Sequence, residues 1–308
     1  MITSAATIED STEQLWVAAT ERIKVRTDGL LDIRYVPNGA LPIKPEDWLR
    51  AVSDGELAIC NVVAGYHAGD YPILAFLEVP LVYTNMLERE IVYREVLPIY
   101  EREMAKDNIK LLPLWLAGGY AMVTREPVDL MNLNGTQIRT YGTTVPKILE
   151  ATGGVGVPIA WSEAYTALER GVVDGILTGV HGIYGANMHK ICPHIYDTGM
   201  VIDPDPWAIN KELWDSLPKD IQNIMSEELG MASRANSLHA YMNQQEVFNK
   251  MLAEAGPDGT FEVAPPEYFS TIREKVTKAM LAELLAETGT AGSDIVTAME
   301  KAIGATLR

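Results

Sequence analysis

PIAWSEAYTALERGVVDG (residues 158–175) is the stretch on which the reading of this chain turns. It leaves a β-type run, VGVPIA (155–160), passes an aromatic at Trp161, and enters a short run of helix formers that Gly171 stops. Ser162 has the chemistry of an N-cap, and Glu163 suits the positive end of the helix that follows. VVDGILT (172–178) then reads as the next strand. In open parallel sheets, ligands bind beyond the carboxyl ends of the strands, where helix N-termini also point their N–H groups. Trp161 stands at such a corner.

Other residues share that address. Arg139, followed by Tyr141, closes the strand TQIRT (136–140), and Thr178 closes VVDGILT. Upstream, the apolar run ELAICNVV (56–63) leads into AGYHAGDYP (64–72), a Gly-punctuated loop holding Tyr66 and His67. IKLLPLWLAGG (109–119) is a further strand ending in Trp115 and glycines. Helical patterns over 13–24, 45–55 and 88–108 alternate with these strands and with LLDIRYV (30–36). Such alternation predicts largely parallel sheets with helices on both faces, in an α/β chain of two lobes whose facing strand ends make a cleft. The expected division is 1–117 with 204–243, and 118–203 with 244–308. From Leu217-Pro218 onward Ile221, Met225, Leu229, Ala232, Leu238, Met242, Phe248 and Leu252 keep helical spacing. About 35 residues at ~1.5 Å each make a helix of about 50 Å, long enough to span both lobes, with Gly230 as a candidate bend.

Arg139 is the first candidate for ligand chemistry. Its planar fork of donors matches a carboxylate bidentately, which a lysine cannot do. Spacing by itself favours an ordinary partner, a structural Asp or Glu. Trp161 on its own terms reads more readily as core or lobe packing than as a ligand platform, Thr178 also as a turn cap, and Asp174-Gly175 as a conformational device. His181, His189 and His194 lie near Cys192 without metal-ligand spacing, and surface or core placement is the simple reading, with His181 a candidate cleft residue.

Composition narrows the functional classes. The 308 residues carry a net charge of −17, which disfavours nucleic acid and anionic membranes as partners. Cys60 and Cys192 form no ligand cluster, and two separate buried thiols are expected. No apolar run reaches bilayer-spanning length. GGVGVP (153–158) lacks dinucleotide-loop spacing, and neither a P-loop nor a G-x-S-x-G is present, so no enzyme signature and no cofactor is indicated.

The run LNGTQIRTYG (133–142), the segment PIAWSEAYTALERGVVDG and the later WDSLP (214–218) resemble the extracytoplasmic solute-binding proteins of TRAP transporters, the DctP family. TDG before the second strand and SDGELAI before the third extend the resemblance over essentially the whole chain. It implies a two-lobed periplasmic-binding-protein-like (type II) fold with a long helix spanning both lobes, closing over a small organic acid. It implies a periplasmic location, with the signal peptide already removed, and delivery to the TRAP permease membrane subunits. The family arginine that takes the carboxylate falls on Arg139, and the aromatic against the ligand body on Trp161. Where many members carry an Asn that reaches the ligand, this chain has Thr178; where sialic-acid binders carry a second arginine, it has Gly119-Tyr120. These departures point to a monocarboxylate (2-oxo, 2-hydroxy or aromatic), surrounded by Tyr66, His67, Trp115, Trp161 and Tyr141. The alternatives are a dicarboxylate binder of the same family and the ligand-binding component of a sensory system.

Overall fold

The computed structural model describes residues 2–3, 11–36, 40–116, 118–142, 144–200 and 204–307. In chain order the strands are β1 (Ile2–Thr3), β2 (Tyr35–Val36), β3 (Ile59–Asn61), β4 (Ile109–Leu116), β5 (Tyr120–Thr124), β6 (Gln137–Thr140), β7 (Val155–Pro158), β8 (Gly175–Gly179), β9 (His194–Asp197), β10 (Pro204–Asn210) and β11 (Thr260–Val263). They form two sheets, ordered β2-β1-β3-β10-β4 and β11-β9-β5-β8-β6-β7. The chain divides into two compact units to match: 1–63, 98–117 and 204–240 in the first, and 64–97, 118–203 and 241–308 in the second.

In the first unit, the helix Ser11–Arg26 buries Trp16, Ala19 and Ile23, one face at spacings of three and four. Residues Met225, Leu229 and Ala232 of the helix Lys219–Glu254 do the same. Both faces meet Ile59 of β3, Leu112 of β4, and Trp207 and Ile209 of β10 in one apolar cluster. Its centre is a parallel stack of Trp16 on Trp207, ring centroids 3.7 Å apart and 8° between planes. At the rim of this unit, the buried carboxylate of Glu228 accepts from Arg22 Nε at 2.6 Å and Arg26 Nη1 at 2.9 Å.

In the second unit, Ala121 and Val123 of β5 and Ile176 of β8 form the floor of a core covered by Ala164, Ala167 and Leu168 of the helix Trp161–Glu169. Val247, Phe248 and Met251, from the end of the 36-residue helix, pack on the same cluster. That helix runs unbroken through Gly230, where a bend was a candidate; its residues up to Ala240 group with the first unit and those from Tyr241 with the second.

Three features differ from the sequence expectation. Both sheets are mixed rather than largely parallel: β10 is antiparallel to β3 and β4, and β5 is antiparallel to β8 and β9. Simple strand–helix alternation does not signal a strand that arrives from a distant part of the chain. Ser162 is not the N-cap: Ala160 holds that position without a side-chain hydrogen bond, and Trp161 is the first helical residue. Residues 64–97, expected with the first lobe, group with the second unit. The 3-10 segment Pro72–Glu78 within them packs on the helix Lys278–Ile303, and Thr277 Oγ1 donates to the Pro80 carbonyl at 2.8 Å.

The Asp-Gly at 174–175 is explained locally. Asp174 Oδ2 accepts from Gln137 N at 2.7 Å, joining the starts of β8 and β6. A Cβ on Gly175 would fall 2.3 Å from the Val123 carbonyl oxygen, so only glycine lets β8 lie against β5 there. Gly171 stops the preceding helix at φ +68°, with Val172 N donating back to Ala167 O at 2.9 Å.

Candidate functional site

Arg139 leaves the end of β6 as one of the largest fully buried side chains of the chain, 1% exposed. Its Nε donates to the Ile159 carbonyl at 2.8 Å, and its guanidinium also hydrogen-bonds to the Tyr66 phenol. The Trp161 ring lies 5.5 Å from the guanidinium carbon and the Tyr141 ring 5.9 Å, distances at which the aromatic faces attract a cation. Nη1 is buried and has no hydrogen-bond partner among the described residues. No carboxylate among the described residues forms an ion pair with Arg139. Its strongest electrostatic neighbours are the phenols of Tyr66, Tyr141 and Tyr120.

Burial therefore pulls the guanidinium below its ordinary range, partly opposed by those tyrosines. An arginine starts high enough to remain protonated throughout the physiological range. The result is a desolvated cation with one donor unsatisfied, at a cost of several kcal/mol unless an anion meets it. Because Nε is already committed to Ile159, a carboxylate can be gripped only across the Nη1/Nη2 end of the fork.

The tyrosines are held by backbone, not only by side chains. Tyr66 sits in a single helical turn, Ala64–His67, where a loop was expected from the sequence. The N–H of Gly65 donates to Glu78 Oε1 at 2.5 Å, and Glu78 is wholly buried. Gly142, at φ +57°, brings its Cα so close that a Cβ there would lie 2.6 Å from the Gly65 carbonyl oxygen and 2.8 Å from its Cα. Tyr66 follows the first of these glycines and Tyr141 precedes the second. Their rings meet edge to face at 5.8 Å, and the Tyr141 hydroxyl makes a short hydrogen bond with that of Tyr120. Trp161 is braced from behind: a Cβ on Gly182 would stand 3.1 Å from its Cη2.

Of the candidates from sequence, Arg139, Tyr66, Tyr141 and Trp161 come together in this cage. Thr178, 8% exposed, lies on β8 opposite Ala121 of β5. His181 is buried beside Gly118, its Cδ2 2.9 Å from where a Cβ on that glycine would be. His67 is buried at the end of its helical turn. Trp115 belongs to the first unit, where its backbone pairs with Asp205; its side chain lies outside the described residues. Sequence reasoning missed Tyr120, Glu78 and the Gly65–Gly142 approach. Only the glycine at the end of LNGTQIRTYG carried a signal for them, as a position suited to positive φ. Cys60 and Cys192 are both buried and free, with burial raising the Cys192 thiol to about 12. Among the described residues no helix is long and apolar enough to cross a membrane.

Comparison with known proteins bears on the fold and the family of the chain. Residues 4–285 match the family model described as bacterial extracellular solute-binding protein, family 7 (DctP). The ectoine/5-hydroxyectoine-binding periplasmic protein UehA of Ruegeria pomeroyi is 24% identical over 93% of this chain and 85% of its own. For solute-binding proteins of Sulfitobacter sp. and Verminephrobacter eiseniae, the chain spans 64% and 65% of the relative's length, just under two thirds. The solved structure of DctP7, a Bordetella pertussis extracytoplasmic solute receptor binding pyroglutamic acid, superposes with a TM-score of 0.88 at 20% identity, covering 97% of this chain and 98% of that one. A TRAP periplasmic solute-binding protein of Desulfovibrio salexigens with bound orotic acid gives 0.89 at 17% identity, covering 98% and 97%. The fold is thus the two-lobed type II periplasmic-binding fold of the TRAP solute-binding proteins, and this chain belongs to the DctP family of bacterial extracellular solute-binding proteins.

Proposed function

We propose that this protein captures a small organic monocarboxylate in the periplasm, through an Arg139–carboxylate pair, and hands it to a TRAP permease. The observation that carries the reading is the buried guanidinium of Arg139, with Nη1 unpartnered and phenols rather than carboxylates around it. An incoming carboxylate supplies the missing charge-assisted hydrogen bonds, each worth about 1.5–3 kcal/mol. Aromatic faces at Trp161 and Tyr141 suit a compact planar or ring-shaped body. Relatives are named for pyroglutamic acid, orotic acid and ectoine, all compact rings bearing a carboxylate. Members of the family serve as receptors for transport, and no catalytic step is assigned to this chain.

The net charge of −17 does not oppose anion capture. Surface charge is screened beyond about 8 Å at physiological salt, whereas the buried pair acts at hydrogen-bond distance. Micromolar affinity requires about 8 kcal/mol, within reach of one end-on pair, a few neutral hydrogen bonds and burial of the ring.

The test is calorimetry of the purified protein against pyroglutamate, orotate, lactate, 2-oxobutyrate and succinate. Wild type is expected to bind a monocarboxylate at micromolar Kd or tighter, and Arg139→Met to lose at least 100-fold. Arg139→Met should be no less heat-stable than wild type without ligand, because it removes an unpaired buried charge. Retention of affinity by Arg139→Met, or a clear preference for succinate, overturns the reading.

A further inference from the structure

The register of the second sheet carries the reading of the site one step further. Arg139 of β6 pairs with Ile176 of β8, and on β8–β5 Thr178 pairs with Ala121. Registered partners share a face, and so do residues two apart along a strand, so Arg139, Ile176, Thr178 and Ala121 lie on one face of the sheet. The β5–β8 ladder continues beyond the strand, because Val180 N donates to the Gly119 carbonyl at 3.0 Å. Gly119, two residues before Ala121, therefore directs its absent Cβ to that same face.

What fills that space is the carboxamide of Gln244. A Cβ on Gly119 would lie 2.8 Å from both Gln244 Oε1 and Nε2. The N–H of Gly119 donates to Gln244 Oε1 at 3.0 Å, which fixes the amide plane and assigns its two ends. Oε1 is used, and Nε2 donates to no described residue. Gln244 lies one helical turn before Val247 and Phe248, which pack on the same sheet face, so the helix itself sets the side chain at this edge.

We propose that Gln244 is a specificity-determining residue, presenting Nε2 to an uncharged oxygen of the same acid whose carboxylate Arg139 holds. This rests on the Arg139 reading above. β6, β8 and β5 are adjacent, and Gly119 faces Val180, four residues beyond the Ile176 that pairs with Arg139. About 10 Å across the strands and about 13 Å along them put the two backbone positions about 16 Å apart, a span the long Arg139 and Gln244 side chains enter from its two ends. The hydroxyl of Thr178, on the intervening strand, makes no hydrogen bond to a described residue and offers a second neutral partner on the way. A neutral amide cannot offset a second carboxylate, so the far end of the ligand is a carbonyl or hydroxyl, as in an oxo acid, a hydroxy acid or a lactam acid.

Wild type, Gln244→Met and Gln244→Glu are titrated with matched monocarboxylates: pyroglutamate and lactate, which carry a neutral oxygen, against cyclopentanecarboxylate and propionate, which do not. Wild type is expected to prefer an oxygen-bearing acid to its oxygen-free match by at least tenfold. Gln244→Met should remove most of that preference while changing the oxygen-free acids less than twofold. Gln244→Glu keeps an acceptor for Gly119 N–H but has no donor, so it must lose the preference too. If Met loses it and Glu keeps it, Gln244 is only a strut for Gly119 and the proposal is overturned. Equal losses on both classes, or none, overturn it as well. Arg139→Met, titrated alongside, separates the failures: it must weaken all four acids, and if it does not, the carboxylate reading fails first.

Discussion

Replacing Gly142 by alanine tests the backbone origin of the site. Gly142 has φ +57°, and Gly171, in the same unit, has φ +68° with nothing within 4 Å of where a Cβ would stand. Gly171→Ala therefore carries only the left-handed penalty, about 1–2 kcal/mol. Gly142→Ala carries that and a collision with Gly65, whose carbonyl oxygen would be 2.6 Å and carbonyl carbon 2.8 Å from the new methyl. These are backbone atoms, with no rotamer to move aside, and overpacking of this type costs a further ~1–3 kcal/mol. Equilibrium urea unfolding of the ligand-free protein should then place Gly142→Ala about 1–3 kcal/mol below Gly171→Ala. The separation forced between 65 and 142 also moves Tyr66 and Tyr141 apart, so acid affinity should fall at least tenfold in Gly142→Ala and stay within twofold in Gly171→Ala. Equal destabilisation of the two variants, or unchanged binding in Gly142→Ala, would refute the claim that this close approach positions the tyrosines.

Glu78→Gln keeps an oxygen acceptor for Gly65 N–H and should bind acid nearly as wild type does, while Glu78→Ala should lose affinity; in a Tyr66→Phe background that loss should shrink, as a double-mutant cycle by calorimetry would read. Trp207→Ala removes the indole stacked on Trp16 and should cost about 3–5 kcal/mol in urea unfolding, because both rings are wholly buried. Burial alone would raise the Glu228 carboxyl, but hydrogen bonds from Arg22 and Arg26 reverse this and leave it lowered. A lowered acid contributes stability above its unfolded value that is lost as pH falls through its folded one. The Tm gap between wild type and Glu228→Gln should therefore be full at pH 7 and narrow below the ordinary carboxylate range; a gap independent of pH would contradict this.

Much of the second unit was legible because its signals are local. The short helix after Trp161, its stop at Gly171, and strands ending at Arg139 and Thr178 all follow from residues within one turn or one strand of each other. The long helix was legible for the same reason, since a 3.6-residue period needs no knowledge of partners. What escaped depends on contacts between distant residues. The antiparallel entries of β5 and β10 are set by where the chain returns, and the Gln244–Gly119 hydrogen bond spans 125 residues. The burial of Glu78 against Gly65 looks, in sequence, like an ordinary acidic residue at the end of an apolar run. Arg139 lies between these cases. Its position at a strand end could be read, but that no acid among the described residues answers it could not.

The placement of β10 also governs when the first unit can form. It joins β3 to β4 from residues 204–210, beginning 88 residues beyond the end of β4 at Leu116. Until that segment is made, β3 and β4 each keep a row of unpaired amides and carbonyls, and Trp16 has no indole to stack on. Closing so large a loop slows folding through chain entropy before any pairing compensates for it. A nascent chain that ends before residue 204 therefore cannot complete this sheet, whatever its local helices do, and the protein becomes self-supporting only late in its synthesis.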